Sequence, residues 1–379
     1  MTNIGVIARR KENGDMDSVA VIADSQSTYV GDSIDHSSKS DRSLKIHAVG
    51  RGRDILLLGT GPRSFITGVA DKLRSQSGID TAEETAEAAL QATDQMFKEV
   101  YGDPSKVHDE GLGLNFVVAG PSKNDLSVMV VNTTGANGLG KPDYGKRSAK
   151  PLVVPRDGIQ AHFDGSAWRH INSYLAGLYE AGRPIVVNNL ADAVVEIHDL
   201  SLRGTADLGV NDKFHYGLVV PGKSVRLVHP DTTFNDPEVL HEWYSRLFGL
   251  DVAGAVEKVV SKNPQEGAEG DNAIRGLRDF AADFYHALRS ELDSSSALKR
   301  DYTEVAERLF KDKRYRGQFD HLRQLRQESL DRIAEGVNVM LSQDANQVKA
   351  YIDAHSARRA EANAAVLGRY SALNEKKGV

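Results

Sequence analysis

Short apolar, β-branched runs alternate with helical patterns over the first 230 residues. The order is four strands, two helices, four strands, two helices and two strands. This order predicts an α+β fold, a four-layer αββα sandwich in which two antiparallel sheets pack face to face and helices cover both outer faces. The predicted strands are 4–8, 18–23, 43–49, 55–58, 114–119, 126–132, 150–154, 159–163, 216–220 and 224–228, and the predicted helices start at Pro62, Thr81, Trp168 and Leu190.

Local turn and capping signals support these boundaries. Asn13-Gly14 lies between the first two strands and predicts a hairpin. The first four strands then follow one another as a meander. Thr81 with Glu84 three residues later forms a capping box, which predicts the start of the second helix.

The pattern changes after Pro230. Residues 236–262 have a helical pattern, residues 263–272 interrupt it, and apolar residues then recur at helical spacing as far as Met340. We therefore predict a sandwich domain at 1–235 and a C-terminal all-α extension at 236–379. The apolar stripes of this extension are expected to be packing seams, within the extension or against a neighbouring subunit.

Composition excludes several classes of function. The 47 basic and 53 acidic residues give a net charge of -6, which provides no basic surface for nucleic acid or a membrane. The chain has no cysteine, so covalent catalysis would need Ser, Thr, Lys or a carboxylate. No apolar run reaches the length of a membrane span, and no histidine cluster has metal-ligand spacing. We expect a cytoplasmic protein with no cofactor and no metal.

Thr2 follows the initiator methionine directly. Aminopeptidases remove methionine before a small residue, which would leave Thr2 with a free α-amine. An N-terminal threonine carries both a nucleophile, its hydroxyl, and a base, its own amine. Thr2 is therefore a candidate catalytic residue.

Three further features share the order and spacing of one family. Thr2 leads straight into an apolar strand, a second strand ends in Asp24-Ser-Gln-Ser-Thr28, and Lys45 precedes Gly59 by fourteen residues. With these motifs, residues 2–230 resemble the proteasome β-subunit family, and particularly the peptidase subunit of the bacterial two-component ATP-dependent protease. That family has the N-terminal nucleophile hydrolase fold.

The resemblance implies a role for each of these residues. Lys45 would supply a buried cation that keeps the Thr2 amine neutral, and Asp24 would balance its charge. Gly59 would donate its backbone N–H to the oxyanion of the tetrahedral intermediate. Thr28 would hold the substrate backbone as an added strand.

Other positions match the family less closely. Ser166 lies where the family has a serine that hydrogen-bonds the N-terminal amine, while Asp207 does not fall in register with a further family aspartate. Lys39 and Arg42 lie near Lys45, and an alignment with a small gap would select Arg42 instead.

A substrate pocket is predicted from strand alternation. His47 and Val49 share a strand face with Lys45, and Leu57 lies on the next strand. These three side chains are expected to wall the pocket for the substrate side chain.

The resemblance implies a threonine-type N-terminal nucleophile peptidase that cleaves peptide bonds through an acyl-enzyme. It also implies a homo-oligomeric ring, a peptide or unfolded protein as substrate, and an unfoldase as a partner. Two alternatives remain open. A transpeptidase or ligase of the same fold would pass the acyl group to an amine, and a catalytically silent ring-forming scaffold would keep Met1 or a blocked N-terminus.

Overall fold

The computed structural model describes residues 3–25, 27–29, 38–40, 45–102, 114–123, 125–133, 147–166, 168–180, 182, 185–205, 214–223, 225–228, 267–342 and 344–376. The chain divides into two compact units, Met1–Thr232 and Thr233–Val379.

The first unit contains strands and helices in the following order. They are β1 (Asn3–Arg10), β2 (Met16–Asp24), β3 (Ser27–Tyr29), β4 (Ser38–Ser40), β5 (Ile46–Val49), β6 (Ile55–Thr60), α1 (Arg63–Ser75), α2 (Ala82–Tyr101), β7 (Asn115–Pro121), β8 (Leu126–Asn132), β9 (Ser148–Pro151), β10 (Gly158–Gly165), α3 (Trp168–Glu180), α4 (Leu190–Gly204), β11 (Phe214–Val219) and β12 (Arg226–Val228).

The longer strands form two antiparallel five-stranded sheets. The first sheet has the order β10-β1-β2-β11-β12 and the second has the order β5-β6-β7-β8-β9, while β3 and β4 pair only with each other. The predicted hairpin of β1 and β2 is present. The predicted meander of four strands is wrong, because β5 and β6 belong to the second sheet. The short polar strands β3 and β4 carry no apolar alternation and were not predicted.

The two sheets pack face to face. Their facing side chains form one apolar cluster, to which Val6 and Val21 contribute from the first sheet and Leu56, Val117 and Val128 from the second. Helices α3 and α4 contact the first sheet, and α1 and α2 contact the second. The predicted αββα sandwich is therefore confirmed.

Helices α1 and α2 form a second apolar layer with the outer face of the second sheet. Phe65, Val69 and Leu73 of α1 are buried there against Val49 and Leu57. The predicted capping box is present at α2, where the Thr81 hydroxyl accepts from the Glu84 N–H and the Glu84 carboxylate accepts from the Thr81 N–H. Local sequence thus defines where α2 begins, and burial of its apolar face defines where it packs.

All described residues of the second unit beyond 266 are helical or lie between helices, which confirms the predicted helical extension. They form α5 (Gly267–Lys311), a 3₁₀ turn (Lys313–Tyr315), α6 (Arg316–Ser342) and α7 (Ala345–Lys376). The predicted interruption at 263–272 is wrong over 267–272, which belongs to α5, because a long helix propagates through unfavourable glycines. The predicted helix at 236–262 lies outside the described residues.

A buried carboxylate joins the helices of the second unit. Glu291 of α5 lies 2.7 Å from Arg332 of α6 and 3.2 Å from Arg358 of α7, and His355 lies 3.3 Å away. These ion pairs link three helices at one point. Among the described residues no helix is both long enough and apolar enough to cross a lipid bilayer.

Candidate active site

A buried ion pair joins the two sheets at the end of β2. The Nζ atom of Lys45, just before β5, lies 2.6 Å from Oδ1 of Asp24, the last residue of β2. The side chains are 4% and 0% exposed. The same Asp24 oxygen accepts the backbone N–H of Asn3 at 2.7 Å. One carboxylate oxygen therefore holds both the ammonium and the first described peptide nitrogen of the chain.

Burial sets the electrostatics of this pair. Burial lowers the pKa of the Lys45 amine, and the charge and hydrogen bond of Asp24 act in the opposite direction. Removing either partner would leave a charge in a site without access to water, which is costly. Each of the two buried charges is therefore stabilised by the presence of the other.

Two buried histidines stand beside the ion pair. Burial lowers the pKa of His47 to about 3, with further lowering by the nearby Arg74 and Arg63. Burial also lowers the pKa of His215 to about 3, and the positive charge of Lys45 contributes. Both rings are thus neutral near pH 7.

His215 is a site neighbour that the sequence does not reveal. It lies on β11, where it pairs with Ala23 of β2, and Ala23 faces the core between the sheets. His215 therefore faces the second sheet beside the ion pair. No local pattern could have identified it, because β11 joins β2 only through a pairing nearly 200 residues apart in the chain.

Thr2 lies outside the described residues. The chain enters the described part at Asn3, which pairs with Gly165 of β10, and the next residue, Ile4, pairs with Ala23 of β2. The Asn3 side chain lies 3.5 Å from the Ser201 carbonyl of α4. Asn3 is thus held by β10 on one side of its strand, by Asp24 of β2 on the other, and by α4.

Ser166 follows β10 in a turn and is half-buried. Gly165, directly before it, has a φ of 97°, a conformation that favours glycine. The turn therefore begins beside Asn3, at the same end of the first sheet as Asp24.

The structure corrects the role expected for Gly59. Its N–H already donates to the Lys45 carbonyl at 3.2 Å, so it is engaged and does not face an oxyanion. A Cβ at this position would lie 2.7 Å from Ile66 of α1, so the close packing of α1 explains the glycine. Gly61, two residues further, is exposed and has a φ of 120° at the junction between β6 and α1.

The expected pocket walls are also corrected. His47, Val49 and Leu57 do share one face of the second sheet, but α1 and α2 cover that face. Val49 and Leu57 are fully buried in the resulting cluster, and His47 is buried beside Arg74 at 3.3 Å. None of the three offers surface to a substrate in this structure.

The remaining expected site residues are only partly described. Thr28 lies on β3, where its backbone pairs with Lys39 of β4, and their side chains are not described. Arg42 and Asp207 lie outside the described residues. Within the described ranges no group of three or more histidine, aspartate or glutamate side chains could hold a metal ion.

No family model and no curated protein sequence matches this chain. Among solved structures, the chain is similar to a Gly-1 mutant of Anbu from Hyphomicrobium sp. strain MC1, with 12% identity, a TM-score of 0.40, and coverage of 69% of this chain and 97% of the other. It is also similar to BPH from Thiobacillus denitrificans in complex with epoxomicin, with 16% identity, a TM-score of 0.36, and coverage of 57% and 98%. Neither likeness is close enough to assign an activity.

Proposed function

We propose that this protein is a threonine-type N-terminal nucleophile hydrolase that cleaves peptide bonds. The observation that carries this proposal is the single Asp24 oxygen that holds both the Lys45 ammonium and the Asn3 N–H. The peptide bond attaches residue 2 to that Asn3 nitrogen. Removal of Met1 would therefore create a free amine one residue from a buried ammonium–carboxylate pair.

The pair suits the chemistry that such an amine must perform. A nearby cation disfavours protonation of an α-amine, so more of the amine is in its neutral form near pH 7. The neutral amine takes the proton of the Thr2 hydroxyl while the hydroxyl oxygen bonds to the substrate carbonyl carbon. The carbonyl oxygen becomes an oxyanion. When the intermediate collapses, the C–N bond breaks, the ammonium returns its proton to the leaving amine, and an ester remains.

Water completes the cycle by the same steps. The water oxygen bonds to the ester carbon and one water proton passes to the α-amine. When this second intermediate collapses, the bond between the carbon and the threonine oxygen breaks, the ammonium returns the proton to that oxygen, and the carboxylic acid leaves. The oxyanion needs a preorganised N–H donor at each stage. The Gly59 N–H already donates to the Lys45 carbonyl, and Gly61, an exposed residue at the junction between β6 and α1, is the better candidate for this donor.

Strand register supports a role for Ser166. Asn3 pairs with Gly165 in the antiparallel ladder of β1 and β10, and Ser166 directly follows Gly165 in the turn. A serine hydroxyl there can accept from the α-amine or donate to it. Ser166 therefore remains our candidate for orienting the amine.

Assembly and substrate follow from the family resemblance of the N-terminal motifs. We propose a cytoplasmic homo-oligomeric ring that acts on peptides or unfolded proteins, with an unfoldase as the partner that feeds it. Thr28, on the short strand β3, would pair with the substrate backbone.

The first test is the intact mass of the purified chain. We expect loss of Met1 and, after treatment with a peptidyl epoxyketone, one adduct on Thr2. Thr2→Ala should abolish both the adduct and peptide hydrolysis, and Thr2→Ser should retain part of each. Thr303→Ala, the same change at an exposed position of α5, serves as the control. Retention of Met1, or undiminished hydrolysis by Thr2→Ala, would refute the proposal.

A further inference from the structure

Asp164, the next-to-last residue of β10, uses its two carboxylate oxygens for two different parts of the fold. Its Oδ2 accepts from the Asn115 side chain at 3.0 Å, and Asn115 is the first residue of β7 in the second sheet. Its Oδ1 accepts from the backbone N–H of Gly165 at 2.6 Å. One side chain thus connects the second sheet to the turn that follows β10.

This connection lies at the same end of the sandwich as the ion pair. Asp164 pairs with Ile4 of β1, and the Ile4 side chain belongs to the core between the sheets. On the other side, Asn115 pairs with Thr60 of β6, directly before Gly61. The Asp164–Asn115 hydrogen bond therefore joins the turn that contains Ser166 to the strand end next to Gly61.

The turn needs such a support. Gly165 has a φ of 97° and, as glycine, loses more conformational freedom on folding than other residues do. Its N–H is held by the carboxylate of the preceding residue, and that carboxylate is in turn held from the opposite sheet. Small displacements of an orienting group reduce the rate of a reaction strongly, by up to about 100-fold for 1 Å.

We propose that Asp164, through Asn115, is a positioning residue that fixes the turn of Gly165 and Ser166 against the second sheet and so sets where Ser166 stands relative to the N-terminal residue. This inference rests on the hydrolase proposed above. It adds to that function a contact between the sheets on which the geometry of the amine depends.

The chain provides a matched control for a purely structural role. Oδ2 of Asp125 accepts from the Met16 N–H at 2.7 Å. Met16 is the first residue of β2, and Asp125 directly precedes β8. This aspartate also connects the two sheets, but at the end of β2 opposite Asp24. Asp125→Ala removes a similar hydrogen bond and leaves the Ser166 turn intact.

The kinetic test compares three variants with the wild-type chain. Asp164→Ala is expected to lower kcat for a peptide substrate about 10- to 100-fold, with KM changed less than about twofold. The exchanged pair Asp164→Asn with Asn115→Asp keeps a donor opposite an acceptor and should recover kcat to within about threefold. Asp125→Ala should keep wild-type kcat.

The inference is overturned if Asp164→Ala and Asp125→Ala have the same kcat. It is also overturned if kcat does not recover in the exchanged pair although its thermal stability is restored. Hydrogen exchange gives a readout that does not need activity. The Gly165 amide should exchange at least about tenfold faster in Asp164→Ala and at the wild-type rate in Asp125→Ala. Unchanged exchange at Gly165 overturns the inference alone, whereas hydrolysis that is independent of Thr2 overturns the proposed function first.

Discussion

The buried pair of Asp24 and Lys45 makes a strong prediction about stability. Lys45→Met removes the ammonium and leaves the fully buried Asp24 carboxylate without that positive charge. An uncompensated buried charge of this kind costs about 3–5 kcal/mol. Asp24→Asn leaves the buried ammonium without its carboxylate and should cost a similar amount, reduced by the ease with which a buried lysine loses its proton.

The double variant tests whether the energetic contributions of the two charges depend on each other. Asp24→Asn with Lys45→Met leaves an amide and a thioether of similar volume, and replacing both members of a buried pair is often close to neutral. We therefore expect the double variant to be destabilised by much less than the sum of the single changes, with a coupling free energy of at least about 3 kcal/mol between the two positions. Peptide hydrolysis should nevertheless fall about 10²- to 10⁴-fold in all three variants, because the cation that keeps the α-amine neutral is missing or misplaced.

Urea unfolding at pH 7 and initial rates of peptide hydrolysis, measured on the same preparations, test both expectations. Lys349→Met is the matched control, since Lys349 pairs with Asp353 on the exposed surface of α7, and it should change the free energy of unfolding by less than about 0.5 kcal/mol. Additive destabilisation within about 0.5 kcal/mol would refute the idea that the two charges depend on each other. Recovery of hydrolysis together with stability in the double variant would refute the role of the cation.

Three further predictions concern the rest of the chain. Between pH 6.5, the ordinary pKa of histidine, and about pH 3, its pKa in the folded chain, the unfolded chain binds protons at His47 and His215 that the folded chain does not. The free energy of unfolding therefore falls on acidification by up to about 1.4 kcal/mol per pH unit for each histidine. His215→Leu should make this slope shallower in urea unfolding between pH 7 and 5. Gly59→Ala should cost about 1–3 kcal/mol by overpacking against Ile66, and Ile66→Ala in the same chain should reduce that cost in thermal unfolding. Glu291→Gln removes the carboxylate that pairs with two arginines and should destabilise the helical unit by about 1–3 kcal/mol. The loss is limited to this range because the arginine partners keep some contact with water. We expect faster hydrogen exchange in α5 and α6, and unchanged exchange there would contradict the prediction.

Much of the fold was accessible from local pattern. Alternating and continuous apolar runs identified the strands of both sheets, and Thr81 with Glu84 marked the start of α2. These signals are local, because a strand or a helix cap involves residues close together in the chain. The spacing of Asp24 and Lys45 was also informative, since Asp24 directly follows one predicted strand and Lys45 lies in the next. The structure shows the two side chains in contact.

Only the tertiary structure decided which sheet each strand joins and what covers each face. Alternation correctly placed Val49 and Leu57 on one side of the second sheet, but the packing of α1 determined that this side is core and not pocket. The same packing explains Gly59. The bond between Asp164 and Asn115 joins residues 49 positions apart and in different sheets. The periodicity of the sequence predicts which side chains share a face. Which element packs against that face depends on the burial of apolar area over the whole chain.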